Sequence, residues 1–464
     1  MPVDRLTALD ASFLGAETPT AHMHVGWVAR FAPPEAGTGL PSFPELRAHV
    51  ARRLHRAPRY LQRIAPVPMG VHQPVWVDDE DFDIDEHLRH AIGPHLDAIA
   101  DAVFSTPLPR DRPLWQMWVA DRLEDGSLGL VGKVHHCMVD GLAAVELGAA
   151  LLDPEPVRGP LGPGPHALRR RQEASQPADL FASSLLDRLE EQARAAQAAL
   201  GALANPLGLP VAGARMARTL VRAALPPAPG SVLNGRSTPS RHLARVSRPL
   251  EDLKTVKARY GVTVNDVLLA AAAGGLRTFL RERGEVPVRM KAMVPVSVRV
   301  PDAGDSLGNR ISFMFVELPC QEDDPLVRLM RVHLQTALRK RDGDPVEADA
   351  ALGAMEYAPR AVQRAVTGLV ASRRMFNLVV SNIPGPHLPM YLRGCRLEQA
   401  WPVVPLAEGH ALSIGMTTVC GEACLGLYAD RGQLPDADRL AEHVDAAVDD
   451  LLAVAAEPAV TAFA

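Results

Sequence analysis

Strand-like and helix-like hydrophobic periods alternate along both halves of this chain. A stretch rich in Pro, Gly and Arg separates the halves, and 464 residues exceed what one core usually holds. Together these observations predict an α/β protein of two domains. Residues 1–155 form the first domain, 156–240 a linker with helices, and 241–464 the second. The net charge is −5 and the mean hydropathy near zero, so no global positive field points to nucleic acid.

In the first domain, Trp27 to Phe31 reads as a strand. Ser42-Phe43-Pro44-Glu45 forms a capping box, in which the Ser hydroxyl and the Glu carboxylate each satisfy a free N–H. The helix it opens places Leu46, Val50 and Leu54 on one face. Ser127 to Val134 alternates as a strand, and Leu142, Val145 and Leu147 suggest a helix after it. The middle segment opens with Pro154 to Pro177, which has linker composition, and Leu180 to Ala204 then reads as helix. Arg215, Arg218 and Arg222 fall at helical spacing among apolar residues. A solvated helix packed on the body is the preferred reading of that segment; a patch resting on anionic lipid or a lipid droplet is the alternative.

The second domain begins near Arg241. Leu250, Leu253 and Val256 form a stripe ended by Gly261, and Thr263 with Asp266 caps the next helix. Strands are read at Met290–Val298, Ile311–Leu318, Phe376–Val380, Ala411–Val419 and Ala423–Tyr428. A final helix carries Leu440, Val444, Val448 and Leu451. The five cysteines, at irregular spacing, read as reduced thiols, with Cys420 and Cys424 inside one strand-like run. The first residues lack a basic start followed by an apolar block, and no unbroken apolar run has the length of a membrane span. The chain therefore reads as cytoplasmic, with peripheral contact to an inner membrane or lipid droplet as its only membrane option.

The segment His135-His136-Cys137-Met138-Val139-Asp140-Gly141 carries the chemistry. A neutral imidazole takes a proton from a hydroxyl near neutral pH. Strand alternation points His135 and His136 in opposite directions, so one faces a cleft while the other packs inside. The same divergence makes the two histidines a poor chelate, and no metal site is read here. It also turns Cys137 away from His136, which disfavours a thiol nucleophile. Gly141 allows a turn, and Asp140 pairs with a cation to hold the loop, Arg299 being one guess for that cation.

HHCMVDG is similar to the signature of the CoA-dependent acyltransferase superfamily. Leu6–Gly26, Phe82–His90, Pro113-Leu114-Trp115, Thr263–Ala270, Val294–Arg299, Leu307–Arg310 and Ser381–Pro386 follow in the order of the bacterial wax ester synthase/diacylglycerol acyltransferase family, which the chain resembles over nearly its whole length. The DFGWG motif of chloramphenicol acetyltransferases and condensation domains is absent.

The resemblance implies two chloramphenicol-acetyltransferase-like domains with mixed sheets and an active-site tunnel at their interface. It implies His136 as general base for transfer from acyl-CoA, a co-substrate, to diacylglycerol or a fatty alcohol, with no acyl-enzyme and no bound cofactor. His135, Asp140, Gly141, Asn265 and Asp266 are its supporting residues, and Asn309, Ser381 and Asn382 its candidates for substrate contact. Capping and turn formation are the competing readings for Asn265, Asp266, Ser381 and Asn382. The alternatives kept open are a condensation-type acyltransferase using a carrier-bound donor and a non-catalytic lipid-surface binding protein.

Overall fold

The computed structural model describes residues 4–34, 39–138, 151–157, 181–189, 197, 225–297, 311–342 and 360–457. In the first half run helix α1 (Ala8–Ala16), β1 (His24–Ala32), α2 (Phe43–Arg53), β2 (Gln62–Ala65), β3 (Val75–Asp78), β4 (Leu88–His90), α3 (Leu96–Phe104), β5 (Trp115–Ala120) and β6 (Leu128–His135). The second half begins with β7 (Arg241–Pro249), α4 (Leu250–Tyr260), α5 (Val264–Glu282), β8 (Met290–Ser297) and β9 (Ile311–Leu318). It continues with α6 (Pro325–Arg341), α7 (Arg360–Val370), β10 (Leu378–Ile383), β11 (Tyr391–Leu392), β12 (Cys395–Val403), β13 (Leu412–Val419), β14 (Glu422–Asp430) and α8 (Ala437–Ala456).

Local chemistry sets many of these ends. The Ser42 box opens α2, whose Leu46 and Val50 enter the core. Thr263 and Asp266 form the reciprocal box of α5, and Gly261 ends α4 at φ 68°. The strands read at Ala411–Val419 and Ala423–Tyr428 are β13 and β14; Cys420 and Gly421 both have positive φ, so Cys420 lies in the hairpin turn between them and not in a strand. The strand read as Phe376–Val380 lies later, at Leu378–Ile383, and takes in Ser381 and Asn382. Of the helix expected over 180–204, residues 181–189 are helical and most of the rest lies outside the described residues. So do the segments around Leu142–Leu147 and Arg215–Arg222.

Two mixed six-stranded sheets result among the described residues. The first has the order β11-β12-β1-β6-β5-β4, the second β7-β14-β13-β10-β8-β9. The first sheet borrows β11 and β12 from the second half of the chain, and β12 pairs directly with β1. The sheets therefore interlock, and the sequence division at 241 is not the division of the sheets. Helices α4, α5, α6 and α8 cover a large apolar core on the second sheet. Helix α3 packs against β7 and forms the seam between the halves. There Ser105 Oγ accepts from Arg241 N–H (2.9 Å), and the His242 ring bridges Asp101 (2.8 Å) on α3 and Asp438 (3.0 Å) on α8.

Candidate active site

Strand β6 delivers the histidine pair. It runs antiparallel between β1 and β5, with His24 opposite His135. The chain leaves the strand in a hydrogen-bonded turn. Leu114 C=O accepts from His135 N–H (2.9 Å), Met23 C=O from His136 N–H (3.0 Å), and His135 C=O from Met138 N–H (2.9 Å). Met23 has φ 50°, a left-handed conformation rare for a residue with a side chain, at the point where its carbonyl meets the His136 N–H.

The two rings enter different surroundings. His136 is half-buried and stacks on Phe13 of α1, with ring centroids 3.8 Å apart and planes 11° from parallel. Phe13 packs against the apolar core that also holds Val25 and Val134. His135 is completely buried, and its Nδ1 accepts from Cys137 N–H at 3.1 Å. That bond leaves the ring proton on Nε2, which faces the Glu17 carboxylate at 3.8 Å. Glu17 is itself held by Arg110. Burial, then Arg110 and His136, push the His135 ring down to about 3, so it stays neutral. Burial drives the adjacent Cys137 thiol far up, so it stays protonated.

Behind His135 lies a cationic region. Lys133, 2% exposed, donates to the carbonyls of Val103 (2.7 Å) and Thr106 (2.6 Å) at the end of α3. Burial lowers its ammonium to about 7. His24 is 1% exposed, and neither ring nitrogen has a hydrogen bond among the described residues. Burial and the neighbouring Lys133 keep it neutral.

The opposite face of the same strands is apolar. Successive cross-strand pairs run Val25–Val134, Trp27–Gly132, Ala29–Leu130 and Phe31–Leu128 away from the His136 turn. Val25, Trp27, Ala29, Phe31 and Leu130 of these pairs line a cavity of about 310 Å³ walled by Leu46 and Val50 of α2 and by Ile383–Pro386 at the end of β10. The size suits a small apolar ligand.

The remaining expected residues scatter. Asp140, Gly141, Asn309 and Arg299 lie outside the described residues. Asp266 is fully buried in a cap network: its carboxylate accepts from Thr263 N–H (2.9 Å), His333 (2.9 Å) and Thr336 Oγ1 (2.7 Å). Burial raises that carboxyl, but the hydrogen bonds from Thr336, His333 and Thr263 outweigh it and hold it below the usual range. Asn265 is half-buried beside it. Ser381 is buried in β10 and Asn382 is exposed; the cavity wall begins one residue later. Phe13, Glu17, His24 and Arg110 were not singled out from sequence. The His22-x-His24 alternation at a strand start was the one available signal.

Two interlocked mixed sheets define a two-domain protein of the chloramphenicol-acetyltransferase type, the class of the CoA-dependent acyltransferases. Within that class, residues 6–268 match the wax ester synthase/diacylglycerol acyltransferase catalytic domain and 307–452 the WS/DGAT C-terminal domain, so the chain belongs to this family and is an acyltransferase. It is 32% identical over 471 residues to the probable diacylglycerol O-acyltransferase tgs2 of Mycobacterium tuberculosis, covering 97% of this chain and 99% of that one. It is 31% identical to tgs1 of the same organism, over 99% and 98% of the two chains. Among solved structures it is similar to the wax ester synthase/diacylglycerol acyltransferase from Marinobacter aquaeolei VT8, with TM-score 0.69, 26% identity and coverage of 97% and 99%. The first condensation domain of the CDA synthetase shares the fold, with TM-score 0.58 at 17% identity.

Proposed function

We propose that this protein transfers a long-chain acyl group from acyl-CoA to the hydroxyl of a diacylglycerol or a fatty alcohol, with His136 as general base. The observation that carries the reading is the placement of His136. It stands just past the end of a strand whose apolar face lines an apolar cavity, while its neighbour His135 is locked on the opposite side. Two of the most similar relatives are named diacylglycerol O-acyltransferases, and a similar solved structure also bears the wax ester synthase name.

In this scheme the His136 imidazole takes the acceptor's hydroxyl proton as the oxygen attacks the thioester carbonyl. The C–O bond forms and a tetrahedral oxyanion results. Its collapse breaks the C–S bond, and the proton on His136 passes to the departing CoA sulfur, returning the ring to its neutral form. No enzyme nucleophile is needed, consistent with the protonated thiol of Cys137. Asp140 would hold the loop after the turn. Among the described residues no helix is long and apolar enough to cross a membrane.

The test is thiol release from palmitoyl-CoA with dioleoylglycerol or hexadecanol, using folded protein supplied with lipid. Ester and free CoA should appear in equal amounts. No release with either acceptor would overturn the reading.

A further inference from the structure

Along the strands, the cavity lining nearest His136 is Val25, and Trp27 follows one rung deeper. Trp27 of β1 stands directly opposite Gly132 of β6, and its indole lies across the glycine. A Cβ placed at Gly132 would sit 2.7 Å from Cε2 and Cζ2 of that indole, a distance side chains do not tolerate. The missing side chain is therefore what lets the indole lie flat on the cavity floor. Most of the strand-borne lining, including Ala29, Phe31, Leu130 and Val119, lies beyond this rung as seen from His136.

We infer that Trp27, seated on Gly132, is the chain-length determinant of this enzyme: an alkyl chain with its reacting end at His136 must pass over the indole to enter the deep cavity. The inference rests on the proposed function for which end of the chain is anchored. The register gives the scale. Gly132 is four residues from His136, about 13 Å along a strand. A zig-zag of C–C bonds near 1.5 Å advances roughly 1.3 Å per carbon, so roughly ten carbons reach the indole. An octyl chain stops short of it, and a hexadecyl chain must cross it. The chain belongs either to the acyl donor or to the acceptor, and both present the same chemistry to this floor.

The test varies both. One arm compares octanoyl- with hexadecanoyl-CoA at fixed hexadecanol; the other compares octanol with hexadecanol at fixed palmitoyl-CoA. Gly132→Ala lifts the indole into the passage. The hexadecyl-to-octyl ratio of kcat/KM should fall tenfold or more in one arm, which identifies the chain that uses the cavity. Gly132→Ala with Trp27→Ala removes the clash partner, and the ratio should return to within threefold of wild type or rise above it. A ratio unchanged in both arms of Gly132→Ala overturns the inference. So does a double variant as impaired as the single one. Displacement of cis-parinaric acid by octanoate and palmitate reads the same ratio without turnover. It keeps the inference testable if Gly132→Ala is slow for other reasons or if the wild-type protein releases no CoA. The latter outcome would defeat the proposed function alone.

Discussion

The two faces of the first sheet are built from the same strands and do opposite work. Toward the α3 seam, β1 and β6 present His24, Lys133 and His135, all buried and tied to backbone carbonyls or held neutral. Toward α2 they present Trp27, Ala29 and Leu130 around an apolar cavity. One residue of strand alternation separates the two environments. Adjacent histidines can thus serve unlike purposes: His135 shapes the turn, and His136 is left at the edge of the dry side.

The largest effect expected from disturbing this contrast is at His136. Replacing it with Ala should lower kcat by about 10² to 10⁴, the usual worth of a positioned general base, with the melting temperature little changed. Next is His135. Its Nδ1 takes the Cys137 N–H, a role the Asn Oδ1 can fill and the Gln side chain, one carbon longer, cannot. His135→Asn should keep activity within about tenfold of wild type, whereas His135→Gln should lose more and also cost about 1–3 kcal/mol for the buried group left unpaired. Equal losses in thiol release and in thermal melts from the two variants would contradict that role.

The seam offers a third test, read in stability. His242, clamped by Asp101 and Asp438, is raised to about 9, with the Asp101 hydrogen bond as the largest cause. A histidine raised on folding contributes stability that is complete below its unfolded value of 6.5 and is lost as pH rises through about 9. Between those limits the wild type should lose on the order of 3 kcal/mol relative to His242→Gln. The difference between the two melting curves from pH 6 to 10 isolates this group from Lys133, whose lowered value acts in the opposite direction. The smallest effect is at Cys137. Because its thiol stays protonated and unused, Cys137→Ala should leave kcat within about threefold, and its abolition would revive a thiol nucleophile.

Elements whose signals are local were legible in the sequence. Ser42 with Glu45 and Thr263 with Asp266 cap their helices as expected, and Gly261 closes α4. The alternation of β6 was also readable: Leu128, Leu130, Gly132 and Val134 share one face, and Gly129, Val131, Lys133 and His135 the other. Contacts spanning hundreds of residues were hidden. β12 lacks alternation because its end, from Trp401 to Val403, is buried on both faces, and its partner β1 lies far away in sequence. The stack of Phe13 on His136 and the Glu17–Arg110 pair follow from how α1 and the loop before β5 settle on the sheet, which no local pattern encodes. Asp266 illustrates the converse: a motif residue that resembles a site residue is consumed by its helix cap and by His333 and Thr336.

The most direct measurement places the same substitution at both histidines. His135→Asn and His136→Asn are compared in single-turnover release of CoA from palmitoyl-CoA with hexadecanol, alongside thermal melts. The division of labour across the sheet predicts that His136→Asn folds normally and loses at least about a hundredfold in rate. His135→Asn, with the Cys137 N–H still accepted, should stay within about tenfold of wild type. The reverse order, or equal losses at the two positions, would contradict it.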